Sequence, residues 1–150
     1  MKFLKRLLTA LEGYIQSKKN AMDLNRVQPH EPIARFLLQK NNYSISKKTV
    51  KPVAFLPNPS NLETSVFRIM GLTDNDIWNI GETYVTGPQG KNLHGHGVVI
   101  IINIQNLGLF VIPDNVPDRH ANITGWPVEK DKQLSIAQEL AAIATLKLKN

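Results

Sequence analysis

A chain of 150 residues, 42% hydrophobic and 20% charged, has the size of one domain and the composition of an ordinary globular protein. It holds no cysteine, which excludes disulfide scaffolds, thiolate nucleophiles and cysteine-bound zinc. The net charge of +6 is unevenly spread: residues 1–51 carry eleven Lys/Arg against three acids, and the remainder carries seven against nine. Such asymmetry directs any anionic partner (nucleic acid, a membrane surface or an acidic protein) to the first third, with a solvated basic face as the plain alternative.

Leu4, Leu7, Leu8, Leu11, Tyr14 and Ile15 recur at three- and four-residue spacing, while Lys5, Glu12, Gln16 and Lys19 turn away. This predicts an amphipathic helix over residues 2–19, so that residues 1–19 form an N-terminal helical segment. The expected place for its apolar stripe is against its own domain or a symmetry mate, with peripheral membrane contact the lesser alternative. Lys5, Arg6 and Glu12 interrupt the run, which does not read as a secretory signal. A soluble, cytoplasmic protein is therefore expected, with the Asn122-Ile123-Thr124 sequon unmodified.

Residues 20–32, polar and closed by Pro29 and Pro32, read as a linker, and residues 33–150 as a single α+β domain. Ile33–Leu38 is strand or helical turn. Tyr43–Ser46 and Val50–Leu56 read as a hairpin with Lys47-Lys48 at its tip. Ser65–Met70 is a strand with Phe67 and Ile69 on one face and Val66 and Arg68 on the other; Glu63 is the expected partner of Arg68. A helix is predicted from Thr73 to about Thr83, opened by a Thr73/Asp76 capping box, with Trp78 on its core side. Gly81 either ends this helix or permits close packing.

The stretch Gly87–Gly97 is rich in glycine but matches no phosphate-binding loop. Val98–Asn103 reads as a central strand buried on both faces, turning at Asn106 and Gly108 into a hairpin with Leu109–Ile112. A polar loop then runs to Trp126-Pro127, and Glu129–Lys147 is predicted as a helix. The sum is an antiparallel sheet of about four to six strands with helices on one side.

Three constellations could carry chemistry. His120 could serve as a general base oriented by Asp114 or Asp118, and Arg119 or Arg68 could stabilise an anion. Ser65 and Thr64 supply hydroxyls, but no GxSxG elbow marks either as a nucleophile. The leading reading makes Arg68, Arg119, His120 and Asn122 contacts for a small anionic ligand or an acidic protein segment. A small hydrolase or transferase using His120 with Asp118 or Asp114 is the rival. The third reading is nucleic-acid association through Arg35, Lys47, Lys48 and Lys51, by backbone contacts, since few aromatic residues fall in the basic segments. His94 and His96 lie two residues apart but lack a third ligand fixed by spacing, so no metal and no cofactor are expected.

Glu63–Arg68 (ETSVFR) and Arg119–Pro127 (RHANITGWP), followed by a KxxQLxxAxELA helix, resemble a small uncharacterised bacterial domain family. The resemblance spans about Ile33 to Leu148. It implies a compact bacterial domain and brings no catalytic role.

Overall fold

The computed structural model describes residues 2–20 and 23–149, with side chains for all of these except 13–20. In chain order the elements are α1 (Lys2–Asn20), β1 (Pro32–Leu37), β2 (Tyr43–Ser44), β3 (Thr49–Val50), β4 (Thr64–Arg68) and α2 (Asp74–Ile80). Then come β5 (Gly95–Ile100), α3 (Ile101–Asn106), β6 (Phe110–Pro113), β7 (His120–Thr124), α4 (Lys130–Ile143) and β8 (Thr145–Leu148). Six strands form one sheet in the order β6-β7-β4-β1-β5-β8, every neighbouring pair antiparallel. β2 and β3 make a separate small hairpin that carries the exposed Lys47 and Lys48.

The α+β class follows from the residue pattern: strands alternate between two cores. Ile33, Leu37, Val66, Val99, Ala121 and Ile123 turn to one face, where Ala137, Leu140 and Ala141 of α4 and the buried Trp126 close the main core. The alanines let α4 lie close, and Trp126 plugs the crossover into it. Ala34, Phe36, Phe67 and Ile69 turn to the other face and meet Ile77 of α2. Helices were expected on one side; instead α4 and α2 lie on opposite faces, because the β1 and β4 residues on both sides are apolar and need cover.

α2 begins with the expected capping box: the Thr73 hydroxyl accepts from Asp76 N (3.2 Å) and the Asp76 carboxylate accepts from Thr73 N (3.1 Å). It ends earlier than predicted and continues as a π turn over Gly81–Thr86. Gly81 serves close packing, since a Cβ there would lie 2.7 Å from the Phe36 ring.

Further sequence expectations are corrected. Pro52–Ala54 is a 3-10 turn, so the second hairpin strand stops at Val50. The apolar run after His96 is strand only to Ile100; Ile101 and Ile104 then turn inward from the short helix α3. β6 consequently pairs with β7 and not with β5, and His120–Thr124 is a strand, not part of a loop. Finally, the last helix stops at Ile143. The alternating Thr-Leu-Lys-Leu that follows becomes β8, pairing with β5. Gly95 permits that approach, since a Cβ there would lie 2.4 Å from the Lys147 carbonyl oxygen.

The segment expected to be a linker is anchored where it is described. Glu31, read from sequence as a loop residue, is fully buried and holds Arg68 through two hydrogen bonds of 2.9 Å. The same guanidinium donates to Arg26 O (2.8 Å) and Leu24 O (3.4 Å). α1 behaves differently: its side chains over residues 2–12 are all exposed. The expected docking of its stripe on the domain is not found there. The expected orientations of Tyr14, Ile15, Gln16 and Lys19 lie outside the described side chains.

α2 covers the β4-β1-β5 part of its face and leaves the β7-β6 end open. There Phe110 is 60% and Ile112 52% exposed. The register aligns Ile112 with Asn122, Asn122 with Ser65, and His120 with Phe67, so these side chains share the open end.

Candidate catalytic site

The open end holds a continuous hydrogen-bonded chain of three side chains. Ser65 Oγ lies 2.6 Å from His120 Nε2, and His120 Nδ1 lies 2.7 Å from Asp114 Oδ1. Asn122 donates from Nδ2 to the other Asp114 oxygen at 3.1 Å. With Nδ1–H donated to the carboxylate, Nε2 is left to accept the serine hydroxyl proton. This is the order of groups that activates a serine.

Each position follows from local structure. Ser65 is exposed on β4, two residues before Phe67 on the same face. His120 and Asn122 share a face because they alternate along β7, and the His120 ring packs edge-on against Phe67 at 5.2 Å between centroids. Asp114 follows the last residue of β6 and caps a tight loop. Its carboxylate accepts from Val116 N (3.1 Å), while Asp114 N and Asn115 N both donate to the His120 carbonyl (3.2 and 3.0 Å). His120 N in turn donates to Pro117 O (3.0 Å), so the loop binds acid and base to one backbone frame. Asn115 and Arg119 take left-handed conformations within it, at φ 55° and 71°, and the Val116-Pro117 peptide bond is cis. Asn115 also donates its amide to Leu24 O, joining the loop to the 23–31 segment.

Burial alone raises the Asp114 carboxyl. Hydrogen bonds from His120 and Val116 N, the nearby His120 charge and the Asn122 amide outweigh it, and the net effect is a pKa below the ordinary value. The carboxylate is thus kept ionised beside the imidazole.

A pocket of about 300 Å³ adjoins the serine, lined by Arg35, Asn58, Asn61, Glu63, Ser65 and Asn122 among others. Asn58 and Asn61 use their side-chain oxygens to accept local backbone N–H groups, from Ser60 and Glu63. Arg35 fills the gap where β1 and β4 part after pairing at Ile33 and Ala34, donating to Ala54 O (2.7 Å) and Ser65 O (2.8 Å). Burial lowers its pKa from the ordinary arginine value. It thereby fixes the backbone beneath Ser65.

The sequence candidates divide clearly. His120, Asn122 and Asp114 come together, and the carboxylate on His120 is that of Asp114; Asp118 stays exposed in the loop. Arg68 is fully buried against Glu31, not paired with Glu63, and offers no surface to a ligand. Arg119 donates to the carbonyls of Arg68 (3.4 Å) and Met70 (3.2 Å), tying the loop to the end of β4. Among the basic candidates Lys47, Lys48 and Lys51 are exposed, whereas Arg35 turns inward to backbone carbonyls.

Sequence reasoning named Ser65 only as an available hydroxyl and gave it no role, although the alternation of β4 already put it on the Phe67 face. The missing information was the β4–β7 register, which brings residues 55 positions apart into contact.

His94 donates to or accepts from the Tyr43 hydroxyl through Nδ1 at 2.9 Å, and His96 is sealed in β5. The glycines around His96 are strand residues. Among the described residues no group of three or more His, Asp or Glu is placed to hold a metal.

No protein family matches the chain, and neither a curated protein nor a solved structure shows significant similarity to it. The resemblance seen in ETSVFR and RHANITGWP rests on those residues alone. Both stretches carry the site: one holds Ser65, the other His120 and Asn122.

Proposed function

We propose that the protein is a small serine-dependent hydrolase or acyl transferase, with Ser65 as nucleophile, His120 as general base and Asp114 orienting the imidazole. The observation that carries this reading is the unbroken Ser65–His120–Asp114 chain, with both contacts under 2.8 Å, on the exposed end of a sheet. In the first step Ser65 Oγ attacks a substrate carbonyl and passes its proton to His120 Nε2. His120 then returns that proton to the leaving alcohol or amine, leaving an acyl group on Ser65. Water or an acceptor alcohol, deprotonated in its turn by His120, attacks the acyl carbonyl, and His120 gives that proton to Ser65 Oγ as the bond from serine to the acyl group breaks. Asn122 holds the second oxygen of Asp114, and Asn58 and Asn61, which line the pocket beside Ser65, are the side chains we assign to meet developing oxyanion charge.

The reading that led from the sequence, recognition of an anionic group, is left with fewer donors. Arg68 and Arg119 spend theirs on Glu31 and on backbone carbonyls, and Asn122 serves Asp114. Nucleic-acid association retains the exposed Lys47, Lys48 and Lys51 and the charges of α1 but loses Arg35; retention on DNA or RNA that weakens steeply with salt would speak for it.

The test is labelling with a fluorophosphonate, followed by peptide mapping, together with hydrolysis of short-chain p-nitrophenyl esters. Modification at Ser65, lost in Ser65→Ala and His120→Ala proteins that melt like wild type, is the expected result. Absence of labelling in the folded wild-type protein would overturn the assignment.

A further inference from the structure

We propose that α1 lies in the surface of an anionic lipid bilayer and holds the domain there. The inference is independent of the catalytic reading.

Phe3, Leu4, Leu7, Leu8 and Leu11 form one stripe, and each is at least half exposed, from 51% for Leu8 to 78% for Phe3. An apolar stripe of this width is not left to water without a partner, and the folded domain does not supply one. The stripe is too interrupted to cross a bilayer, and among the described residues no helix is long and apolar enough to do so.

Charge decides between the remaining partners. Residues 2–20 contain five cations, Lys2, Lys5, Arg6, Lys18 and Lys19, and a single acid, Glu12. Lys5 and Arg6 fall on the two shoulders of the stripe, where long stems run along the apolar surface while their heads reach outward to phosphates. A pair of such helices from two copies of the chain would set cation against cation, with one carboxylate per helix to offset them. A negatively charged lipid surface complements both the stripe and its shoulders at once. Such surfaces attract each adjacent Lys or Arg with about 1 kcal/mol.

The experiment is co-sedimentation of the full chain with vesicles of phosphatidylcholine alone and of equimolar phosphatidylcholine and phosphatidylglycerol. Binding to the mixed vesicles only, weakening as salt is raised, is expected. Lys5→Ala with Arg6→Ala should bind on the order of thirtyfold more weakly. Leu7→Asp with Leu11→Asp should abolish binding while leaving the thermal melt unchanged, because these side chains touch none of the core. Failure of the wild-type chain to sediment with the mixed vesicles would overturn the proposal, as would undiminished binding by the aspartate variant. A dimer in sedimentation equilibrium, dissolved by the aspartate substitutions and unaccompanied by vesicle binding, would overturn it in favour of a second copy.

Discussion

His96 and His120 occupy the same face of the same sheet, yet one is enclosed and the other is connected. His96 sits on β5 in the part covered by α2, 1% exposed, between Trp78 at 4.7 Å and Phe36 at 5.9 Å between ring centroids. Neither of its ring nitrogens has a hydrogen-bond partner. Burial, aided by the charge of Lys147 and opposed by Asp74, lowers its pKa from 6.5 to about 4. His120 stands on β7 beyond the reach of α2, with a hydroxyl on one nitrogen and a carboxylate on the other. An imidazole becomes a candidate base through its neighbours and its access to solvent; burial without partners makes it an inert, neutral filler.

The contrast is broken most severely by removing what makes His120 different. Ser65→Ala should lower kcat for a reactive ester on the order of a millionfold, with the melting temperature unchanged, read by ester hydrolysis beside a thermal scan. Asp114→Asn should cost on the order of ten-thousandfold in kcat, because an amide in place of the carboxylate no longer fixes the tautomer that leaves Nε2 free to accept. Equal losses in His96→Leu would sink the distinction between the two histidines.

A third variant tests the support beneath the site. Glu31→Ala strands the Arg68 guanidinium in the interior and should destabilise the fold by about 3–5 kcal/mol in urea unfolding. Ester hydrolysis per folded molecule should survive, because Arg68 does not touch the serine, histidine or carboxylate.

The smallest effects sharpen the enclosed side. The unfolded chain takes up a proton on residue 96 near pH 6.5, whereas the folded one resists until about pH 4. Stability therefore falls as pH is lowered through that window, by about 3 kcal/mol in all. His96→Leu should erase this acid slope and add about 1 kcal/mol at pH 7, since two unpartnered polar atoms leave the core. Chemical denaturation across pH 4–7 measures both; an unchanged slope in the variant would locate the acid sensitivity elsewhere.

How much of this was legible beforehand depended on distance along the chain. The capping box at Thr73, the two-faced alternation of β4 and the helix α4 are written in residues close together, and all emerged in the structure. What failed was non-local. The Val98–Asn103 run is equally apolar as strand or buried helix, and only the packing of Ile101 and Ile104 into the main core converts its second half to α3. Thr145–Leu148 continues a helical pattern acceptably, but the exposed edge of β5 offers it a better set of hydrogen bonds. At the site, His120 and a carboxylate partner were suggested by their closeness in one loop, but the choice between Asp114 and Asp118 was not, and the structure makes it Asp114. Ser65 depended on strand register, and the enclosure of Arg68 depended on Glu31, 37 residues away.

The register between β4 and β7 has a use as a measurement. Strand side chains alternate, so a slip of one residue would send Ser65 and His120 to opposite faces while leaving much of the sheet intact. Covalent capture at Ser65 would then count only molecules whose strands had zipped in the native alignment. Applied at intervals during refolding, it would time the arrival of correct pairing separately from chain collapse, which circular dichroism or fluorescence reports without distinguishing one register from another.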